Sequence, residues 1–368
     1  MVTKIKYSMM YSARYNSWHD VVRNRQLRIA MNTMRMGRGG YRYALGAVLL
    51  LSVITAWFSL SQHIEHPKHR DLHEGLALHA PKEEADKDRD RFISTSLDND
   101  LINPHTYTFV LNNPDKCKSG EDVFLLILVS TRHLNHRQRY EIRQTWGKEA
   151  NVLGVVIKVL FAVGLVPDAA LQRALEHESR VHKDIIQEDF IDSDRNRTLK
   201  TIMGLKWAAQ FCPQAQYVMK ANDDTFVNVF SLVKYLKDLH VTRFVAGRVF
   251  NKTKPVRDVR FLDRWYVSKE EYSRKLYPKY PGGFAYVMSN DTAKLLYRTS
   301  LSTKYLFLED VYIGICLEKL GIVPVHHQGF YPWYVDIDSC NFDWLLASQW
   351  VKEPEVMMDL WNSLTSNC

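Results

Sequence analysis

Short apolar runs alternate with segments of helical periodicity through the C-terminal two thirds of the chain. Val123 to Ser130 (VFLLILVS), Val155 to Val163, Asp184 to Phe190 (DIIQEDF), Tyr217 to Met219 and Phe244 to Phe250 have the length and apolar continuity of buried strands. Between them the period changes to that of a helix. Arg139 to Gly147 sets Ile142 and Trp146 on an apolar face, and Leu171, Leu175 and Glu178 keep helical spacing. From Thr198 onward, Leu199, Ile202, Met203, Trp207 and Phe211 share one face until Cys212-Pro213 ends the helix. A last helix is expected over Val311 to Leu320, stopped by Gly321. Strand, helix, strand, helix and strand is the order of a largely parallel, doubly wound α/β sheet.

The N-terminal third has a different character. Residues 43–60 (YALGAVLLLSVITAWFSL) carry no charge, and 18 residues is the lower edge of what crosses a bilayer. Tyr41, Tyr43 and Trp57 stand where interfacial aromatics belong. Residues 1–42 hold nine Lys or Arg against one acid, Asp20, which orients the N-terminus toward the cytosol. The run is long for a cleaved leader and lacks a small-residue cleavage site behind it, so it reads as an uncleaved signal anchor. Residues 61–108, rich in His and charged side chains, read as a solvated stem, and residues 109–368 as the folded domain. The net charge of +8 comes largely from the basic tail, so it marks topology and not a nucleic-acid footprint.

On this topology all five cysteines (117, 212, 316, 340 and 368) meet an oxidising compartment, and the odd count leaves at least one without an intramolecular partner. None has metal-ligand spacing. Asn196, Asn251 and Asn290 each open an Asn-x-Thr sequon and are candidate glycosylation sites.

The chemistry concentrates where strands end. Tyr217 to Met219 leads into Asn222-Asp223-Asp224, and ligands of an open α/β sheet bind beyond the carboxyl ends of its strands. Paired acids there suit a hard divalent cation that borrows its remaining ligands from a substrate's phosphates; an ordinary Asx turn is the bland alternative. Arg139 and Arg143, four apart, share a helix face whose planar forks suit phosphate or carboxylate. Glu309-Asp310 opens the last helix, where Asp310 is either an N-cap or a general base. Tyr277 to Tyr286 reads as a proline-glycine loop, its flat rings also suited to stacking on a sugar.

Six motifs in fixed order give the domain a resemblance: Arg139-x-x-Ile-Arg-x-Thr-Trp-Gly147, Asp184-Ile-Ile-Gln-x-Asp-Phe190, Asn196-x-Thr-Leu-Lys-Thr201, Tyr217-Val-Met-Lys-x-x-x-Asp224, Arg264-Trp-Tyr-Val267 and Leu308-Glu-Asp-Val-Tyr-x-Gly314. From about Asn112 to the C-terminus the chain resembles the β1,3-galactosyltransferase family. The resemblance implies a GT-A fold, Rossmann-like, behind a single N-terminal transmembrane helix. It also implies a UDP-sugar donor, a glycan acceptor on protein or lipid, Mn²⁺ or Mg²⁺, a Golgi membrane anchor and inversion at the anomeric carbon. By that likeness Asp224 binds the metal, Asp223 lies at the donor and Asp310 is the base. Arg139, Arg143, Lys200 and Glu309 are then donor-side residues.

Three positions depart from the family pattern. Its Asp-x-Asp begins here with Asn222, its Tyr-Cys-Ser-Gly reads Tyr280-Pro-Gly-Gly283, and a C-terminal His is replaced around Ser348-Gln349-Trp350. An amide binds a hard cation without charge, so these changes bear on metal affinity. The leading expectation is a β1,3-galactosyltransferase. The alternatives are transfer of N-acetylglucosamine or N-acetylgalactosamine, or a catalytically weak lumenal binding protein.

Overall fold

The computed structural model describes residues 101–366 apart from 119, 150, 259–263, 336–341, 350 and 352–353. The tail, the anchor at 43–60 and residues 61–100 of the stem lie outside the described residues, as do Cys340 and Cys368. Among the described residues no helix is long and apolar enough to cross a membrane.

The first half follows the apolar pattern closely. Strand β1 (Phe109–Leu111) and β2 (Val123–Ser130) precede helix α1 (His136–Gln144), then β3 (Asn151–Val152), β4 (Val155–Leu165) and α2 (Ala169–His182). Next come β5 (Ile185–Ile191), α3 (Arg197–Phe211), β6 (Tyr217–Asn222), β7 (Thr225–Val227) and α4 (Val229–Lys237). The chain closes with β8 (Val245–Phe250), β9 (Tyr280–Ser289), α5 (Asn290–Leu301), α6 (Glu309–Leu320), β10 (Val325–His326), β11 (Phe330–Tyr331), β12 (Ala347–Gln349) and α7 (Pro354–Thr365).

The main sheet has the order β1-β5-β4-β2-β6-β9-β8-β10, with β3 paired to β4. Strands β5, β4, β2 and β6 run parallel, and β9 pairs antiparallel with both β6 and β8. Parallel strands covered on both faces must be apolar on both, which is why β2 is an unbroken hydrophobic run. Its Leu126 and Leu128 join the layer of α3, α5 and α6. Leu125, Ile127 and Val129 join the layer of α1, α2, α4 and α7. Truncating one such leucine to alanine costs about 2–5 kcal/mol. A second sheet, β11-β12-β7, branches off directly after the acid turn.

Two features depart from the pattern reading. The Pro-Gly-Gly stretch expected as a loop is the start of β9, a ten-residue strand in the middle of the sheet. Pro281 sits where the β8–β9 register shifts, a position at which a ladder tolerates a residue without an N–H. The rings of Tyr277, Tyr280 and Tyr286 are therefore core, not a sugar platform. Residues assigned to the stem also lie against the domain. Asn103 Nδ2 donates to Tyr312 Oη at 3.0 Å, and His105 Nε2 stands 2.5 Å from the buried carboxylate of Glu188.

Cys117 and Cys212 form a disulfide joining the segment after β1 to the end of α3, and Cys316 is a buried free thiol. Burial pushes that thiol up to about 12, so it is inert near neutrality.

Candidate active site

Strands β2 and β6 are adjacent and in register, with Ser130 opposite Asn222, so both chains leave the sheet at one edge. Asp223 is received there by the loop after β2. Its Oδ2 accepts from Thr131 Oγ1 at 2.6 Å and from Asn135 Nδ2 at 2.7 Å, and its amide donates to Ser130 O at 3.2 Å. The carbonyl of Asp224 accepts from Val351 N at 3.0 Å, which ties the turn to the second sheet. Both acids are half-buried, at the sheet edge where α/β ligands bind. Gln349 lies beside them, paired with Thr225 on β7.

The second acid pair arrives on α6. This helix starts two residues earlier than its apolar periodicity indicates, and its N-cap is Leu308. Glu309 and Asp310 thus occupy the first helical turn, and Asp310 is not the cap; the helix dipole favours negative charge there. Gly314 lets α6 close onto β9, since a Cβ there would stand 2.5 Å from Tyr280 Cβ. Gly283 does the same at the acids: a Cβ would meet Glu309 Oε2 at 3.1 Å and Asp310 Cβ at 3.2 Å. Within this pair the roles separate. Glu309 is buried, with Oε1 accepting from Tyr286 Oη at 2.7 Å and Oε2 3.4 Å from Lys220 Nζ. Asp310 is half-buried, and its Oδ1 accepts from Val311 N at 2.9 Å. Burial first, then the charge of Glu309, raises the Tyr286 phenol far above its ordinary range, so it remains a donor. Glu309, expected as a donor-side residue, has both oxygens engaged inside the protein.

Lys220, on β6, lies between Asn222 and Glu309. Its ammonium donates to Asn222 Oδ1 at 2.7 Å and to the Gly283 carbonyl. The amide oxygen of Asn222, expected from the sequence at the metal, therefore faces Lys220.

The other expected donor contacts are also turned inward. Arg139, 1% exposed, donates to Glu178 and to the carbonyls of Arg132 and His133, so it braces the loop that carries Thr131. Arg143 makes a two-pronged contact with Asp184 at 2.7 and 2.9 Å. Lys200 is buried between Asp192, 2.9 Å away, and the Thr131 carbonyl, and desolvation lowers its pKa. All three expected donor-side cations are thus engaged by acids elsewhere in the chain. Nearer the surface, exposed Arg132 and half-buried Arg197 share Asp194. Neither carried a sequence signal beyond its charge.

The glycosylation candidates divide in the same way. Asn290 is buried, donating to Pro213 O at 2.9 Å, and Thr292 of its sequon is fully buried, so the folded domain excludes a glycan there. Asn196 is half-buried and donates to Ile191 O at 2.8 Å, whereas Asn251 is exposed. Exposed rings absent from the sequence reading are Trp333 (41%) and Trp344 (46%), on the segments flanking β11 and β12. The Trp333 carbonyl accepts from Ser348 Oγ on β12, which is itself paired with β7 just beyond the acids.

Among the described residues no three His, Cys, Asp or Glu gather in metal-holding geometry. What the acid turn offers is hard oxygen alone, with one Asp223 oxygen already accepting two hydrogen bonds. That donor set fits an ion held by one or two carboxylates and otherwise by water and substrate phosphates.

Comparison with known proteins bears on the same residues. A galactosyltransferase family model matches residues 137–328. Beta-1,3-galactosyltransferase 1 of Homo sapiens is 43% identical over 268 residues, covering 72% of this chain and 81% of that protein. Beta-1,3-galactosyltransferase 5 of Pan paniscus is 41% identical over 258 residues, covering 69% and 85%. Among solved structures, the galactosyltransferase LgtC with donor and acceptor sugar analogs aligns at a TM-score of 0.36 and 12% identity, covering 66% of this chain and 96% of that one.

Proposed function

Because this chain belongs to the β1,3-galactosyltransferase family, we propose that it transfers galactose from UDP-galactose to the 3-hydroxyl of an acceptor sugar on a glycoprotein or glycolipid. It is a hexosyltransferase, and the proposed architecture is the GT-A one. The observation that carries the reading is that Asn222, the residue before Asp223-Asp224, and Glu309, the residue before Asp310, meet on one ammonium, that of Lys220.

Asp310, half-buried beside the fully engaged Glu309, takes the proton from the acceptor hydroxyl. The hydroxyl oxygen bonds to the anomeric carbon as the carbon–oxygen bond to UDP breaks, and UDP leaves with the electron pair. Attack from the face opposite UDP inverts the centre. Asp224, with the second oxygen of Asp223, would hold Mn²⁺ or Mg²⁺, which when bound offsets charge on the leaving diphosphate. Arg132 and Arg197, held at the surface by Asp194, are more open to the donor phosphates than the buried Arg139 and the half-buried Arg143. Trp333 supplies an exposed ring for the acceptor. Neighbouring strands lie about 4.8 Å apart, so β11 stands roughly 10 Å from the strand that follows the acids.

The charge asymmetry about residues 43–60 supports a type II Golgi membrane protein with the domain in the lumen. Asn251 is then the sequon best presented for a glycan. The experiment is an assay of donor hydrolysis and transfer by the full chain against a panel of UDP-sugars, with and without Mn²⁺. Transfer from UDP-galactose supports the reading. Transfer from UDP-N-acetylglucosamine alone replaces the donor, and sugar binding without turnover overturns the enzyme.

A further inference from the structure

We propose that Lys220 is a positioning residue that locks the metal-side turn to the base, and that Asn222 serves as one leg of this lock and not as a cation ligand. An ammonium has three N–H donors. The Lys220 ammonium meets three acceptors on three elements: Asn222 Oδ1 at the end of β6, the Gly283 carbonyl on β9, and Glu309 Oε2 at 3.4 Å on α6. Lys220 is 6% exposed, so these contacts stand in low dielectric, where each is stronger than at the surface.

Each leg constrains a reacting part. Asn222 immediately precedes Asp223 and Asp224. Gly283 lies under Asp310, within van der Waals distance of its Cβ for any added side-chain atom. Glu309 precedes Asp310 and is clamped from its other oxygen by Tyr286. The tripod thus fixes the distance between the donor's diphosphate side and the base, which an in-line displacement requires to be correct within fractions of an ångström. It also accounts for the amide at position 222. Lys220 is already paired in charge with Glu309, and a neutral oxygen completes its third hydrogen bond without adding another buried charge.

This inference rests on the assignment of Asp310 as base, and its test separates the two. In the full-length protein, K220M is expected to lower kcat for transfer by about 10²-fold while the donor KM stays within about twofold, since remote misplacement by 1 Å costs that much. N222A, which removes one leg, is expected to fall between K220M and wild type. An unchanged kcat in K220M, or a loss confined to donor KM, overturns the inference. A second measurement needs no turnover and covers poor folding of K220M. In Tm, the effects of N222A and E309Q are expected to be non-additive in the Lys220 protein and additive when Lys220 is replaced by Gln. Additivity in the Lys220 protein overturns the tripod. Absence of transfer by wild type with every UDP-sugar overturns the assigned reaction, and the Tm cycle still decides the tripod.

Discussion

Arg139 Nε donates to Glu178 Oε1 at 2.8 Å, from a guanidinium that is 1% exposed. Arg143 reaches the same carboxylate at 2.8 Å, so one acid on α2 holds two cations of α1 behind the loop that carries Thr131. Burial alone would raise the Glu178 pKa, but the hydrogen bonds and charges of Arg139 and Arg143 outweigh it and hold the carboxyl below its ordinary value.

The first prediction follows from that sign. A carboxyl held low contributes stability that is present above its ordinary value of 4.5 and lost as pH falls through the depressed one. E178Q leaves the buried Arg139 without its carboxylate and is expected to cost up to about 3 kcal/mol near neutrality, below the full cost of a broken buried pair because Glu178 is half-buried and Arg143 keeps Asp184. The Tm gap between wild type and variant should then narrow as pH falls below about 4.5. A gap independent of pH would remove the electrostatic account.

Asp310→Asn is expected to reduce transfer by about 10²- to 10⁴-fold, the usual cost of losing a general base, while UDP-sugar binding persists. The side chain is nearly isosteric, and Val311 N can donate to an amide oxygen as it does to Asp310 Oδ1. Single-turnover rates and donor titration by calorimetry separate the two effects. Turnover by Asp310→Asn at the wild-type rate would falsify the assignment.

The layers and the two acid pairs were legible in the sequence because burial on both faces writes itself as apolar runs and helical spacing. The acids stand at the ends of such runs, Asp223 after β6 and Asp310 at α6. What stayed hidden were partners distant in the chain. Arg143 meets Asp184 from 41 residues away, and Lys200 reaches Thr131 across 69, so their apparent availability was a property of the isolated motif. Pro281 and its glycines looked like a loop because local composition does not report a register shift against β8. Trp333 carries no signal in the sequence, because a lone aromatic gives no sign of its exposure until β11 and β12 pair.

Trp333→Ala tests the acceptor side. Loss of one aromatic contact of about 0.5–1.5 kcal/mol corresponds to a roughly two- to tenfold rise in acceptor KM, with donor KM unchanged. The exposed position of Trp333 makes a folding effect small, which a melting curve checks. If donor KM rises in its place, the ring belongs to the nucleotide side. If neither changes, it has no part in either subsite.

The last prediction concerns the cation and the amide at position 222. Chelation is expected to abolish transfer, and Mn²⁺ to restore it, since an ion shared with the diphosphate is held weakly by the protein alone. Asp224→Ala should raise the Mn²⁺ concentration for half-maximal rate well above that of wild type, because Asp224 is the acid proposed to hold the ion. Asn222→Asp would at first sight do the reverse, adding charge next to a dication. The geometry argues otherwise: the Asn222 oxygen faces the Lys220 ammonium at 2.7 Å, so a carboxylate there spends its charge on Lys220. The Mn²⁺ curve of Asn222→Asp should therefore stay within about twofold of wild type, the shift expected when an added charge is neutralised by a neighbour before it reaches the ion. Initial rates against Mn²⁺ for the three proteins decide it. A curve for Asn222→Asp displaced tenfold to lower Mn²⁺ would mean that residue 222 turns toward the ion, and would take it away from Lys220.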